Sequence, residues 1–144
     1  MMDRNLFDYL PHRPPFAFVD EFEVSEDGKS VKGSRVFTDK EFFFPGHFPG
    51  NPVVPGVILV ETMAQCGGAG LVKAACIGKD NDFFLASVKE AKFRRIVRPN
   101  DKLEMEIETI RVRTTMIVQK GVGKVNGEVA VQAEWSCAVV PHKA

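Results

Sequence analysis

The chain has 144 residues, 44% of them hydrophobic and 26% charged, which suits one compact domain with a proper core and excludes a disordered chain. Its 19 basic and 19 acidic residues cancel, so no global field favours nucleic acid or an anionic membrane, and any charged partner must meet a local patch. Cys66, Cys76 and Cys137 are odd in number and lack CxxC spacing, while His12, His47 and His142 are scattered; buried thiols in a reducing compartment are expected, and no metal site.

The N-terminus, "MMDRNLFDYLPHRPPF", has no apolar run of signal-peptide length, so a cytoplasmic protein is expected. A single domain over 1–144 is expected as well. Residues 16 to 24, "FAFVDEFEV", read as a strand, and Asp27-Gly28 turns the chain into a second strand near 30 to 37. The next stretch, "GHFPGNPVVPG" (46 to 56), mixes residues that fix φ with residues that free it, and so reads as a rigidly shaped loop. From Gly56 to about residue 76 the sequence is helical, with Pro55 at the entry. The nearly uncharged run from Pro52 to Val72 approaches membrane-spanning length but holds Pro55, Glu61, Gln65 and four glycines (Gly56, Gly67, Gly68, Gly70). A buried helix of a soluble core is the expected reading.

After a polar break at "GKDND" (78 to 82) the chain turns β-rich. "LEMEIE" (103 to 108) alternates with period 2, a pattern that slips at Thr109-Ile110 and predicts a bulge there. Asn126-Gly127 predicts a tight hairpin, with Val129, Val131, Ala133, Trp135, Cys137 and Val139 on one face of the last strand. The fold class is therefore α+β, about six antiparallel strands around one long helix. A helix apolar on nearly all sides needs more cover than one sheet can give, so dimerisation is expected to hide the remainder.

Two residues stand out chemically. Glu61 is the only formal charge between His47 and Lys73; it either faces solvent on the one wet stripe of the helix or, as its neighbours Val57, Leu59, Val60 and Met63 favour, is buried and then expected to be paired or held protonated, able to act as a general acid. His47 sits on the rigid loop that leads into the same helix, and a lone histidine in a loop is otherwise commonly structural. Two titratable groups in apolar settings form an acid/base pair, and the unpaired N–H groups near Gly56 and Val57 offer an oxyanion site. Such a set suits loss of water β to a carbonyl. No hydride-carrier motif, P-loop or GxSxG elbow argues for other chemistry.

The run "GHFPGNPVVPGVILVETMAQ" (46 to 65), with "LPHRPPFAFVD" (10 to 20) and "KEAKFRRIVRPNDKL" (89 to 103), resembles the 3-hydroxyacyl-[acyl-carrier-protein] dehydratases of the FabZ type over nearly the whole chain. That resemblance implies a hot-dog fold and dehydration of a (3R)-3-hydroxyacyl thioester carried on the phosphopantetheine arm of acyl carrier protein, with no separate cofactor. It implies catalysis by His47 of one protomer and Glu61 of its partner in a homodimer that in this family commonly builds hexamers. It also implies that the Gly56 N–H polarises the thioester carbonyl and that the Val53 carbonyl orients the imidazole. Glutamate at position 61, where the FabA-type dehydratase/isomerases carry aspartate, favours the plain dehydratase. Where relatives commonly have a gating tyrosine, this chain offers Phe84, and its one tyrosine is Tyr9. Phe48 and Phe84 are candidates for tunnel wall and gate, and Lys89, Lys92, Arg94, Arg95 and Arg98 for docking an acidic carrier protein; a solvated strand face is the plainer account of that cluster. The alternatives are a hot-dog hydratase or thioesterase acting on coenzyme A esters, a silent acyl-binding subunit, and a dehydratase of a specialised secondary-metabolite route.

Overall fold

The structure, a computed structural model, describes residues 1–143. A 3-10 turn at Leu6–Asp8 precedes β1 (Glu21–Val24) and β2 (Ser30–Val36); the helix α1 (Gly56–Lys73) follows, then β3 (Asn81–Phe93), β4 (Lys102–Arg113), β5 (Met116–Val125) and β6 (Glu128–Pro141). The six strands form one sheet in the order β1-β2-β4-β5-β6-β3, every neighbouring pair antiparallel. The sheet wraps α1, which is the hot-dog arrangement.

Local chemistry explains the turns. Between β1 and β2 the Asp27 carboxylate accepts from Ser25 Oγ and Lys29 N, and Gly28 takes a φ of +77°, where an added Cβ would also lie 2.6 Å from Cys76 Sγ. Asn126 and Gly127, at φ 50° and 79°, make the tight β5–β6 turn that Asn-Gly favours. The slip in β4 is real: pairing with β5 jumps from Thr109 to Arg111.

The helix ends at Lys73, short of the expected residue 76, and the structure departs from the sequence reading in three further places. The first strand is confined to 21–24, because Phe18 N donates to Gln65 Oε1 at 2.8 Å and Phe16 O accepts from Gln65 Nε2 at 3.2 Å, which ties 16–18 to the helix instead of the sheet. In β6 the register shifts opposite Gly123 and Lys124, leaving Ala130 unpaired between Val129 and Val131; Ala130 is buried and Val129 only half-buried, so the buried face starts one residue later than alternation implies. The third concerns cover for the helix. Within one chain α1 is already covered, since Leu6, Leu10, Phe18 and Val19 on one stretch and Phe37, Phe44 and Val54 on another join its core. Among the helix residues only Val57 and Lys73 are exposed.

What the single chain leaves open is β3. This edge strand pairs only with β6 and exposes Phe84, Leu85, Val88 and Phe93. A long apolar edge with unpaired backbone groups is a template for strand pairing.

Candidate active site

Pro55 caps α1 without a side-chain hydrogen bond, and its carbonyl takes Ile58 N at 2.9 Å and Leu59 N at 3.2 Å. The N–H groups of Gly56 and Val57 are thus left at the positive end of the helix. Gly56 lets the Phe93 ring lie close over the helix start: a Cβ there would stand 2.9 Å from that ring and push it aside.

The loop before the helix is held from both sides. Arg98 Nη1 donates to Asn51 Oδ1 at 2.8 Å and to Pro52 O at 3.4 Å, and Val54 N donates to Val97 O at 2.8 Å. On that frame His47 N donates to Phe44 O and Val53 N donates to His47 O. The imidazole Nδ1 lies 2.8 Å from the Val53 carbonyl; a carbonyl can only accept, so Nδ1 carries the proton and Nε2 keeps a free lone pair. Phe48 stacks on the imidazole with ring centroids 4.1 Å apart. His47 opens on a cavity of about 540 Å³ lined by Val53, Gly56, Leu59, Phe93 and Arg94 among others.

Glu61 stands elsewhere. Oε2 of its carboxyl accepts from Gln65 Nε2 at 2.9 Å and lies 3.5 Å from His12 Nε2. Burial raises its pKa above the ordinary glutamate value, and the Gln65 hydrogen bond partly opposes that. The Cys137 thiol is pushed up to about 12 by burial, with the Glu61 charge adding to it. Glu61 does not line the His47 cavity, so the single chain does not bring the two groups into one chamber.

The other sequence candidates divide. Phe84 is 56% exposed on β3 and outside the His47 cavity, whereas its neighbour Phe83 packs against Gly68 of the helix; strand alternation sends the two rings to opposite faces. Tyr9 packs edge-on against Phe22 in the N-terminal part of the core. In the basic cluster, Arg94 donates to Gln132 and Arg95 pairs with Glu128, and both line the cavity mouth. Arg98 is the loop staple. Lys89 and Lys92 are exposed and make no ion pair among the described residues. Sequence reasoning missed Gln65 and His12 as neighbours of Glu61. For Gln65 the signal was available, since i and i+4 share a helix face; for His12 it was not, because 49 residues separate it from Glu61.

A sheet wrapped around a buried helix, with a histidine loop at the helix start and a lone carboxyl farther along it, defines a hot-dog protein. The chain belongs to the family of the FabA-like domain, which matches residues 10–134. It is 42% identical to a 3-hydroxyacyl-[acyl-carrier-protein] dehydratase FabZ of Caulobacter vibrioides, over 91% of this chain and 83% of that protein. Against the FabZ of Clostridium acetobutylicum the identity is 41%, covering 94% of this chain and 95% of the relative. Among solved structures, the dehydratase heterocomplex ApeI:P from Xenorhabdus doucetiae superposes with a TM-score of 0.80 at 18% identity, covering 96% and 91% of the two chains. A hypothetical thioesterase with coenzyme A from Streptococcus pneumoniae matches with a TM-score of 0.60 at 12% identity, over 85% and 88%. The two structural likenesses concern the fold alone.

Proposed function

We propose that this protein removes water from (3R)-3-hydroxyacyl-[acyl-carrier-protein] to give the trans-2-enoyl thioester in fatty acid biosynthesis. The observation that carries this reading is the 41–42% identity to FabZ dehydratases over more than nine-tenths of the chain. His47 and Glu61 are the acid/base pair. The His47 Nε2 lone pair takes the C2 proton while the C3–O bond breaks, and Glu61 gives its proton to the departing hydroxyl, which leaves as water. The proton on His47 then returns to Glu61 through solvent, restoring both groups. The Gly56 N–H, at the helix start, polarises the thioester carbonyl as negative charge builds there. The reaction uses no metal or redox cofactor; the acyl group arrives on the phosphopantetheine arm.

The working unit in this reading is a homodimer, and trimers of such dimers form the larger assembly. Its support is twofold: His47 and Glu61 do not share a chamber within one chain, and the free apolar edge of β3 runs into the His47 cavity through Phe93. Pairing two copies along β3 joins the sheets and lets Glu61 of one protomer face His47 of the other. Lys89 and Lys92, with Arg94 and Arg95 at the cavity mouth, meet the acidic carrier protein. Phe48 and Phe84 wall the acyl tunnel, Phe84 being contributed across the dimer. No helix among the described residues is long and apolar enough to cross a membrane.

The test is hydration of crotonyl thioester, loaded on acyl carrier protein and on coenzyme A, followed by loss of enoyl absorbance. Hydration that prefers the carrier-protein substrate is the expected result. Release of free thiol without hydration would establish a thioesterase instead, and no change with either substrate would mean a silent scaffold.

A further inference from the structure

His12 lies outside the acid/base pair, yet the chain takes trouble to place it. Arg13 Nη1 donates to the carbonyls of Leu10 and His12, both at 2.7 Å, and the Arg13 guanidinium lies over the Phe7 ring at 5.0 Å. Four residues on, Gln65 grips Phe16 and Phe18. The segment is therefore clamped on both sides of His12, whose Nε2 comes to 3.5 Å from Glu61 Oε2. The other ring nitrogen, Nδ1, is buried without a hydrogen-bond partner. A buried lone pair without a donor costs less than a buried N–H without an acceptor, so the proton belongs on Nε2, aimed at the Glu61 carboxyl.

From this geometry we propose that His12 is a positioning residue for the reaction, a fixed neutral donor that, together with Gln65, stabilises the negative charge appearing on Glu61 as it gives up its proton. The proposal rests on the catalytic reading of Glu61. The groups that face His12 are Glu61 from α1, Asp82 from β3 and Arg13 from its own segment. Burial lowers the pKa of His12 below the ordinary histidine value; Asp82 opposes this and Arg13 adds to it. The ring stays neutral at physiological pH and acts as a donor and not as a charge. At 3.5 Å the contact is looser than a formed hydrogen bond, and it tightens when the carboxylate appears, as such contacts do along a reaction.

A donor to the carboxylate holds the Glu61 pKa lower than burial alone would. Removing it makes Glu61 a weaker acid, which slows proton delivery and moves the alkaline limb of the kcat profile to higher pH. His12→Ala should lower kcat about 10- to 100-fold, the worth of one hydrogen bond to a charged group, with KM little changed and the alkaline limb displaced upward. His12→Gln, whose side-chain amide reaches the Nε2 position, should recover most of kcat and return the limb to its wild-type place. Thermal melting of both variants separates this from a packing defect. A His12→Ala enzyme with wild-type kcat and limb, or one whose loss follows its melting temperature with the limb unmoved and no rescue by glutamine, would overturn the proposal. Full activity in Glu61→Gln would instead remove the reading of Glu61 itself and the role of His12 with it.

Discussion

His47 and Glu61 are 14 positions apart in sequence, but they occupy opposite kinds of surroundings. His47 is on a loop stapled by Arg98 and Val97, and it faces an open cavity with an apolar wall. Glu61 is held inside a polar nest made by its own chain, between Gln65 and His12. Each group is positioned to high tolerance, and each lacks the other. One chain thus holds the two groups in separate surroundings, and the proposed pairing along β3 is what would make one site of them.

The largest effects should come from cutting either half. His47→Ala and Glu61→Gln should each lower kcat about 10²–10⁴-fold, the usual contribution of a positioned acid or base. Mixing the two inactive variants under conditions that exchange subunits should restore activity, because one site of each mixed dimer then receives an intact His47 and an intact Glu61. Absence of recovery, with exchange verified by mass, would place both groups of a site on one chain. Next in size is Val88→Glu on the free edge, which puts a charge into an apolar strand contact and costs several kcal/mol if that contact is buried. The expected result is a folded monomer by circular dichroism and light scattering, with activity lost; a fully active dimer would exclude β3 as the joint.

Gly56→Ala acts on the His47 side alone. The added methyl meets the Phe93 ring at 2.9 Å, so ring and helix start must move apart, and about a 10²-fold loss in kcat is expected from misplaced groups. The nest around Glu61 should be untouched, as read by an unchanged alkaline limb. A smaller effect concerns stability. Because the folded-state pKa of Glu61 is raised, the contribution of its neutral form is fully present below the unfolded glutamate pKa and is lost as pH rises through the folded value. Glu61→Gln, which cannot ionise, should therefore melt a few degrees above wild type at pH 8 and show no such advantage at pH 4. Smallest is the double change Lys89→Glu with Lys92→Glu. It should raise KM for the carrier-protein substrate in low salt and leave the coenzyme A substrate unaffected.

Much of this architecture could be read along the chain because it depends on neighbours in sequence. The Asn126-Gly127 turn, the Thr109 slip and the start of α1 after Pro55 each express a local backbone preference. The anomaly of Glu61 was equally local, one charge in a long apolar run. Alternation misled at Val129, where the extra residue Ala130 shifts the face, and at residues 16–20, where Gln65 takes backbone groups that a strand would have paired. The expected shortage of cover over the helix also failed, since hydrophobic spacing shows that Leu6, Leu10 and Phe18 will be buried but not against what.

The titratable residue types, the stiff loop that carries His47 and the helix that carries Glu61 are all legible along the chain, because spacing and backbone preference act over a few residues. Which distant groups meet is settled by the packing of the whole chain. It brought His12 to Glu61, set Arg98 on the His47 loop, sent Phe83 inward and Phe84 outward, and left β3 as the uncovered edge. Those outcomes depend on how six strands order themselves around one helix, and that order is fixed by burial summed over the whole chain and by no local stretch of it.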